Sequence, residues 1–119
     1  MHETMMLPVD PADAVRALRE RSATAAVLLF KKSPYCGTSA YAEGELLWWL
    51  DDRKSEKALV VAEVDVVNER SLARGITAEL GIEHQSPQVL LFVNGEVKWH
   101  GSHGELTGEK FGELVDGEA

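Results

Sequence analysis

One cysteine, Cys36, is the only thiol in 119 residues. No disulfide can close within the chain, so if this thiol reacts it does so alone or with a second molecule. Basic residues are also scarce: twelve Lys and Arg stand against twenty Asp and Glu, for a formal net charge of −8. A pI near 4.9 argues against nucleic acid, which rewards clustered positive charge. The apolar runs fall far short of the ~20 residues that span a bilayer, so no membrane association is expected. The first ten residues hold no basic stretch followed by an apolar core; a secretory signal is not expected, and the cytoplasm is the expected compartment. What remains is 45% hydrophobic and 27% charged, close to the globular average and unlike disordered or fibrous chains. A chain of this length buries about two thirds of its unfolded surface. A single domain over residues 1–119 is expected, with flexible ends at about residues 1–9 and 116–119.

Asp10-Pro11 followed by Asp13 reads as a helix start, with Asp10 as cap and Pro11 at the first helical position. That helix runs to about Arg21 and buries Val15 and Leu18. Residues 25–30 form an unbroken apolar run, the pattern of a strand buried on both faces, closed by Lys31 and Lys32. The turn-rich Ser33-Pro34-Tyr35-Cys36-Gly37 follows, then helical character from Ser39 to about Leu50. Cys36 therefore stands at a strand-to-helix junction. Residues 59–64 are a second apolar run, and Leu72, Ile76 and Leu80 share a helical stripe that Gly81 stops. Residues 89–93 and 96–100 flank Asn94-Gly95, a strong hairpin signal because both turn positions favour positive φ. Leu106, Phe111, Leu114 and Val115 suggest one closing helix. The order α, β, α, β, α, β, β, α predicts an α/β fold: a central mixed four-stranded sheet flanked by helices, one of them an extra N-terminal helix.

A strand, a cysteine opening a helix, and far downstream a proline before a hairpin and a final helix together resemble the thioredoxin fold. Ser33-Pro34-Tyr35-Cys36-Gly37-Thr38-Ser39 sits where thioredoxins and glutaredoxins carry Cys-x-x-Cys, with Ser39 in place of the second cysteine. Glu83-His84-Gln85-Ser86-Pro87-Gln88-Val89-Leu90-Leu91 and Trp99-His100-Gly101-Ser102-His103 resemble the monothiol bacilliredoxin family, the YtxJ-like proteins. The similarity runs from about Ala25 onward. Gly37 departs from the proline usual in that family and brings Cys36-Gly37-Thr38-Ser39 close to the Cys-Gly-Phe-Ser of monothiol glutaredoxins, some of which hold a 2Fe-2S cluster with glutathione. The glutaredoxin Gly-Gly-x-Asp string is replaced by Gly101-Ser102-His103-Gly104, which favours the bacilliredoxin branch.

The resemblance implies a thiol-disulfide oxidoreductase that removes bacillithiol from S-bacillithiolated proteins through attack by Cys36. Bacillithiol, a low-molecular-weight thiol with a malate group, would be a co-substrate, with no tightly bound cofactor. A second thiol or a recycling reductase would clear Cys36, because Ser39 cannot. The resemblance also implies a cis bond at Ser86-Pro87, leaving the backbone of Ser86 free to pair with an extended substrate. A free cysteine of pKa about 8.5 is only about 3% thiolate at pH 7. The helix N-terminus at Cys36, and Lys31 and Lys32 nearby, are expected to lower its pKa. Substrate contacts are expected from Lys32, Tyr35, Gly37, Thr38, Ser39, Ser86, Pro87, Gly101 and Ser102. His84, His100 and His103 do not have a recognised zinc spacing, so no metal site is expected. Trp48, Trp49 and Trp99 are expected to pack. A monomer is expected. The competing readings are a cluster-binding or glutathione-dependent protein like the monothiol glutaredoxins, and a thioredoxin-like adaptor without redox chemistry. Arsenate or peroxide reduction would need a resolving partner outside the chain.

Overall fold

The computed structural model describes residues 2–117. Asp10 caps helix α1 (Pro11–Arg21) by accepting from the Asp13 backbone N–H at 3.0 Å. The chain continues through β2 (Ala26–Lys32), α2 (Gly37–Asp52), β3 (Leu59–Asp65), α3 (Arg70–Leu80), β4 (Gln88–Val93) and β5 (Glu96–Ser102). Gly81 ends α3 at φ 68°, a left-handed conformation that costs glycine little. Asn94 and Gly95 turn the β4–β5 hairpin at φ 52° and 84°, as a turn with two positive-φ positions requires.

The sheet has five strands, not four. A short β1 (Glu3–Thr4) pairs in parallel with Val60 and Val61, and Met5 N–H donates to Val61 O at 3.0 Å. Two residues carry no periodicity, so nothing in the sequence marks β1 as a strand. The order is β1-β3-β2-β4-β5, parallel on the β1-β3-β2 side and antiparallel at β2-β4 and β4-β5. The ends expected to be flexible are engaged where they are described: Glu3 also bonds Arg21, and Asp116 meets Arg53. Met1, Glu118 and Ala119 lie outside the described residues.

Alternation along the strands builds two cores. Val27, Leu29, Val60, Ala62, Leu90 and Phe92 face α1 and α3, packing on Leu18, Leu72 and Ile76. Leu28, Phe30, Val61, Val89 and Leu91 face α2 and the C-terminal segment, packing on Leu46, Trp49 and Phe111. β2 does close at Lys32, but its penultimate residue is not a solvated end. Lys31 is fully buried within it, in register with Val64 on one side and Gln88 on the other. The strand continues because Lys31 finds polar partners inside the fold, described below.

Helix α2 begins at Gly37 and runs past Leu50 to Asp52. The single closing helix is instead a 3-10 turn (His103–Glu105), a short α4 (Gly108–Phe111) and a wider π turn (Gly112–Asp116). Thr107 caps α4, and the π turn ends with Asp116 against Arg53, both side chains removed from solvent. Trp49 packs as expected, at 5.6 Å from Phe111 and beneath the Arg53 guanidinium, while Trp48 is largely exposed. Among the described residues, no helix is long and apolar enough to cross a membrane.

Candidate active site around Cys36

Parallel strands β2 and β3 end side by side, and the helices that follow them start there; in α/β sheets this is where ligands collect. Cys36 is the N-cap of α2, with extended backbone at φ −115° and ψ 123°. Its carbonyl accepts from Ala40 N–H at 3.0 Å, which leaves the earlier amides of the helix free of intrahelical partners. The backbone N–H groups of Ser39 first and then Thr38, with a smaller contribution from the Thr38 hydroxyl, hold the thiol below the ordinary cysteine pKa. Cys36 is partly exposed. Ser39 occupies the resolving position of a dithiol motif, but its buried Oγ accepts from Ser33 N–H at 2.9 Å and so fixes the loop carrying the thiol.

The thiol opens on a groove of about 440 Å3, whose walls are Ser33 and Cys36 from the β2–α2 loop and His84 and Ser86 from the segment before β4. Val66, Val67, Arg70 and Arg74 complete it from the β3–α3 junction. A larger hollow of about 600 Å3 contains no thiol, so chemistry rather than size identifies the site. The Ser86-Pro87 peptide is cis, Pro87 is buried, and Ser86 Oγ is shielded from solvent without a hydrogen-bond partner among the described residues.

Behind the groove lies a polar network inside the sheet. Lys31 Nζ sits 2.6 Å from His84 Nδ1 and donates to Gln88 Oε1 at 2.8 Å. Gln88 Nε2 donates to Glu83 O at 3.0 Å, and Gln85 N–H reaches Gln88 Oε1 at 3.3 Å. Burial, with help from Arg74, lowers the Lys31 pKa to about 8. Burial first, then Lys31, Arg74 and Arg70, depress the His84 pKa. These influences favour the neutral imidazole, whose Nδ1 can accept from the Lys31 ammonium.

Of the residues expected to contact substrate, Ser86 shares the groove with Cys36, and Pro87 adjoins it in the chain. Thr38 and Ser39 act through their amides, Gly37 is the first residue of α2, and Tyr35 is exposed beside the thiol. Lys32 points elsewhere: its ammonium lies 3.1 Å from Glu43 and 3.3 Å from Glu63, and it lines a different hollow. Gly101 sits in β5 opposite Val89, against the Trp99 ring, and Ser102 is taken up in a capping box with Glu105. Neither lines the groove. The arginines were missed because their place depends on topology: α3 starts where β3 ends, beside the start of α2. The signal was available, since Arg70 and Arg74 are one helical turn apart just after the second apolar run.

The sequence matches the family described as monothiol bacilliredoxin BrxC over residues 8–111. Among solved structures, one described as an oxidoreductase with a thioredoxin fold is 25% identical, with TM-score 0.70, covering 92% of this chain and 91% of its own. Trxlp from Edwardsiella tarda is 19% identical at TM-score 0.65, covering 93% of this chain and 98% of its own. A mutant thioredoxin from Halobacterium salinarum is 17% identical at TM-score 0.65, covering 97% of this chain and 89% of its own. These last two share the fold.

Proposed function

The chain belongs to the monothiol bacilliredoxin family, and from that premise we propose that it strips bacillithiol from S-bacillithiolated proteins by exchange at Cys36. A thiol-disulfide redox role follows from the family and from the thioredoxin-like oxidoreductase fold; the bacillithiol chemistry is the proposed part. The Cys36 thiolate attacks the bacillithiol sulfur of the mixed disulfide. A Cys36–bacillithiol bond forms, the bond to the protein breaks, and the protein thiolate leaves and takes a proton from solvent. The disulfide has moved, with no net gain or loss of electrons. A second low-molecular-weight thiol or a reductase then releases bacillithiol from Cys36, because Ser39 offers only a hydroxyl. Bacillithiol is a co-substrate here, and the reducing cytoplasm is the compartment that suits a lone working thiol.

The observation that carries this reading is the placement of the only cysteine: partly exposed, supported by the amides of Thr38 and Ser39, and open to a groove without an acidic wall. Lowering a thiol pKa adds thiolate but weakens each thiolate as a nucleophile, so much of the rate must come from positioning the disulfide in that groove. The test is intact mass after the reduced protein meets a bacillithiolated model protein, beside a glutathionylated copy and a Cys36→Ser control. Transfer of bacillithiol to Cys36, absent in the control, supports the proposal. Faster glutathione transfer moves the protein toward glutaredoxin chemistry, and no transfer from either copy overturns exchange altogether.

A further inference from the structure

The cations held in ion pairs, Arg16 with Asp13, Arg21 with Glu3, Lys32 with Glu43 and Glu63, Arg53 with Asp116 and Lys110 with Glu113, do not line the Cys36 groove. Arg70 and Arg74 are different. In a chain of net charge −8, neither guanidinium has an ion pair or side-chain hydrogen bond among the described residues, and both line the Cys36 groove. The carboxylates just before them in the chain are engaged by backbone N–H groups of the turn. Asp65 Oδ1 accepts from Val67 N–H at 2.8 Å and Asn68 N–H at 2.9 Å, and Glu69 Oε1 accepts from Asp65 N–H at 3.0 Å. The same bonds fix the turn that presents Arg70. The groove has no acidic lining residue, and the buried Lys31 lies behind its His84 wall.

We propose that Arg70 and Arg74 form a subsite for the paired carboxylates of a small thiol, placing its sulfur at Cys36. This rests on the exchange reading above and names the specificity element of that site. Residues four apart on a helix present their side chains about 6 Å apart on one face. Two guanidiniums so placed match carboxylates separated by one methine and one methylene, as in a malate group, each able to take a two-point contact. Glutathione has its carboxylates at opposite ends of the molecule, one beside an ammonium, so it engages one guanidinium at a time. Ser86 lines the same groove across from the arginines.

The test compares one model protein carrying bacillithiol, glutathione or the neutral 2-mercaptoethanol group, each transferred in a single turnover to the parent and to R70Q/R74Q. The parent is expected to favour bacillithiol over the neutral group by ~10-fold at low substrate. The double variant is expected to lose that preference through a raised apparent KM, with added salt imitating the loss in the parent. R70K/R74K keeps the charge without the fork and is expected to fall between them. Iodoacetamide alkylation against pH separates binding from activation, because the arginines are not among the groups that lower the Cys36 pKa. A parent without preference, or a double variant that keeps it, overturns the subsite and leaves the exchange reading standing. If no group transfers, the exchange reading fails, and L-malate titrated into the Cys36→Ser protein still decides the subsite. Amide shifts confined to residues 66–74 and lost in C36S/R70Q/R74Q uphold it, and their absence overturns it.

Discussion

Replacing Lys31 by methionine should remove a gradient of stability that the parent shows between about pH 8 and pH 10.5. The ammonium has no exposed surface, and its pKa falls from 10.5 to about 8. Below pH 8 both folded and unfolded chains carry this proton; between the two values only the unfolded chain holds it. Stability therefore rises with pH across that window. At about 1.4 kcal/mol per pH unit, the rise attributable to Lys31 is about 3 kcal/mol. Methionine fills much of the same volume without charge. It also strips His84 Nδ1 of its partner and removes one of the two donors to Gln88 Oε1, a loss of about 1–3 kcal/mol. The two proteins should then be similarly stable at pH 7, with the parent ahead by about 3 kcal/mol near pH 10.5. Urea unfolding of both at matched pH reads this directly, provided the slopes agree. Apart from His84, whose pKa Lys31 depresses from a value already below this window, every other titrating group is common to the pair, so the difference within the window isolates Lys31. A difference flat to within about 0.5 kcal/mol would refute the buried-ammonium argument, and one that falls with pH would mean its partners outweigh its burial.

Asp116→Asn leaves the buried Arg53 guanidinium short of its carboxylate and should cost about 3–5 kcal/mol, read as a melting point lower by about 10–20 °C. The cost should shrink as pH falls below 3.8, because, against the upward push of burial, bonds from Arg53 and then Ser55 hold the Asp116 pKa beneath that value and the parent loses the same interaction on protonation. In R53M/D116L, most of the stability should return. Ser39→Cys puts a thiol one helical turn from Cys36, within the ~4.4–6.8 Å Cα range of a disulfide. It should release a small thiol from Cys36 without any second thiol, seen as loss of the adduct mass, at the expense of the acceptor for Ser33 N–H. Thr38→Val removes only the smallest contribution to the thiolate, so the alkylation midpoint should rise yet stay below that of a free cysteine in an unstructured peptide measured alongside; a midpoint at or above the peptide's would mean the amides do little.

Where a feature was written locally, the sequence disclosed it. The Asp10-Pro11 cap, the αL stop at Gly81, the Asn94-Gly95 hairpin and the junction that holds Cys36 each need only a few neighbouring residues. The features it hid are relations across the chain. Lys31 reads as the polar end of a strand, because the groups that make its burial tolerable, His84 and Gln88, lie 53 and 57 residues away. Lys32 reads as an anion anchor until Glu43 and Glu63 are folded against it. Arg70 and Arg74 gain their meaning only from nearness to Cys36, which follows from two parallel strands ending at the same level.

The two margins of the sheet differ in how they resist unwanted pairing. On β5, Glu96, Lys98 and His100 are exposed, a row of charge and polarity that discourages a neighbouring strand. The margin at β3 has a run of Leu59, Val60, Val61 and Ala62, all buried, and its covering is β1 with the Met5 amide. Those few hydrogen bonds are a poor source of stability but an effective shield. A version of the protein trimmed to begin at Met6 would keep its thiol and groove while offering an apolar ribbon of unpaired amides and carbonyls to its neighbours, and its weakness would appear first as aggregation on concentration.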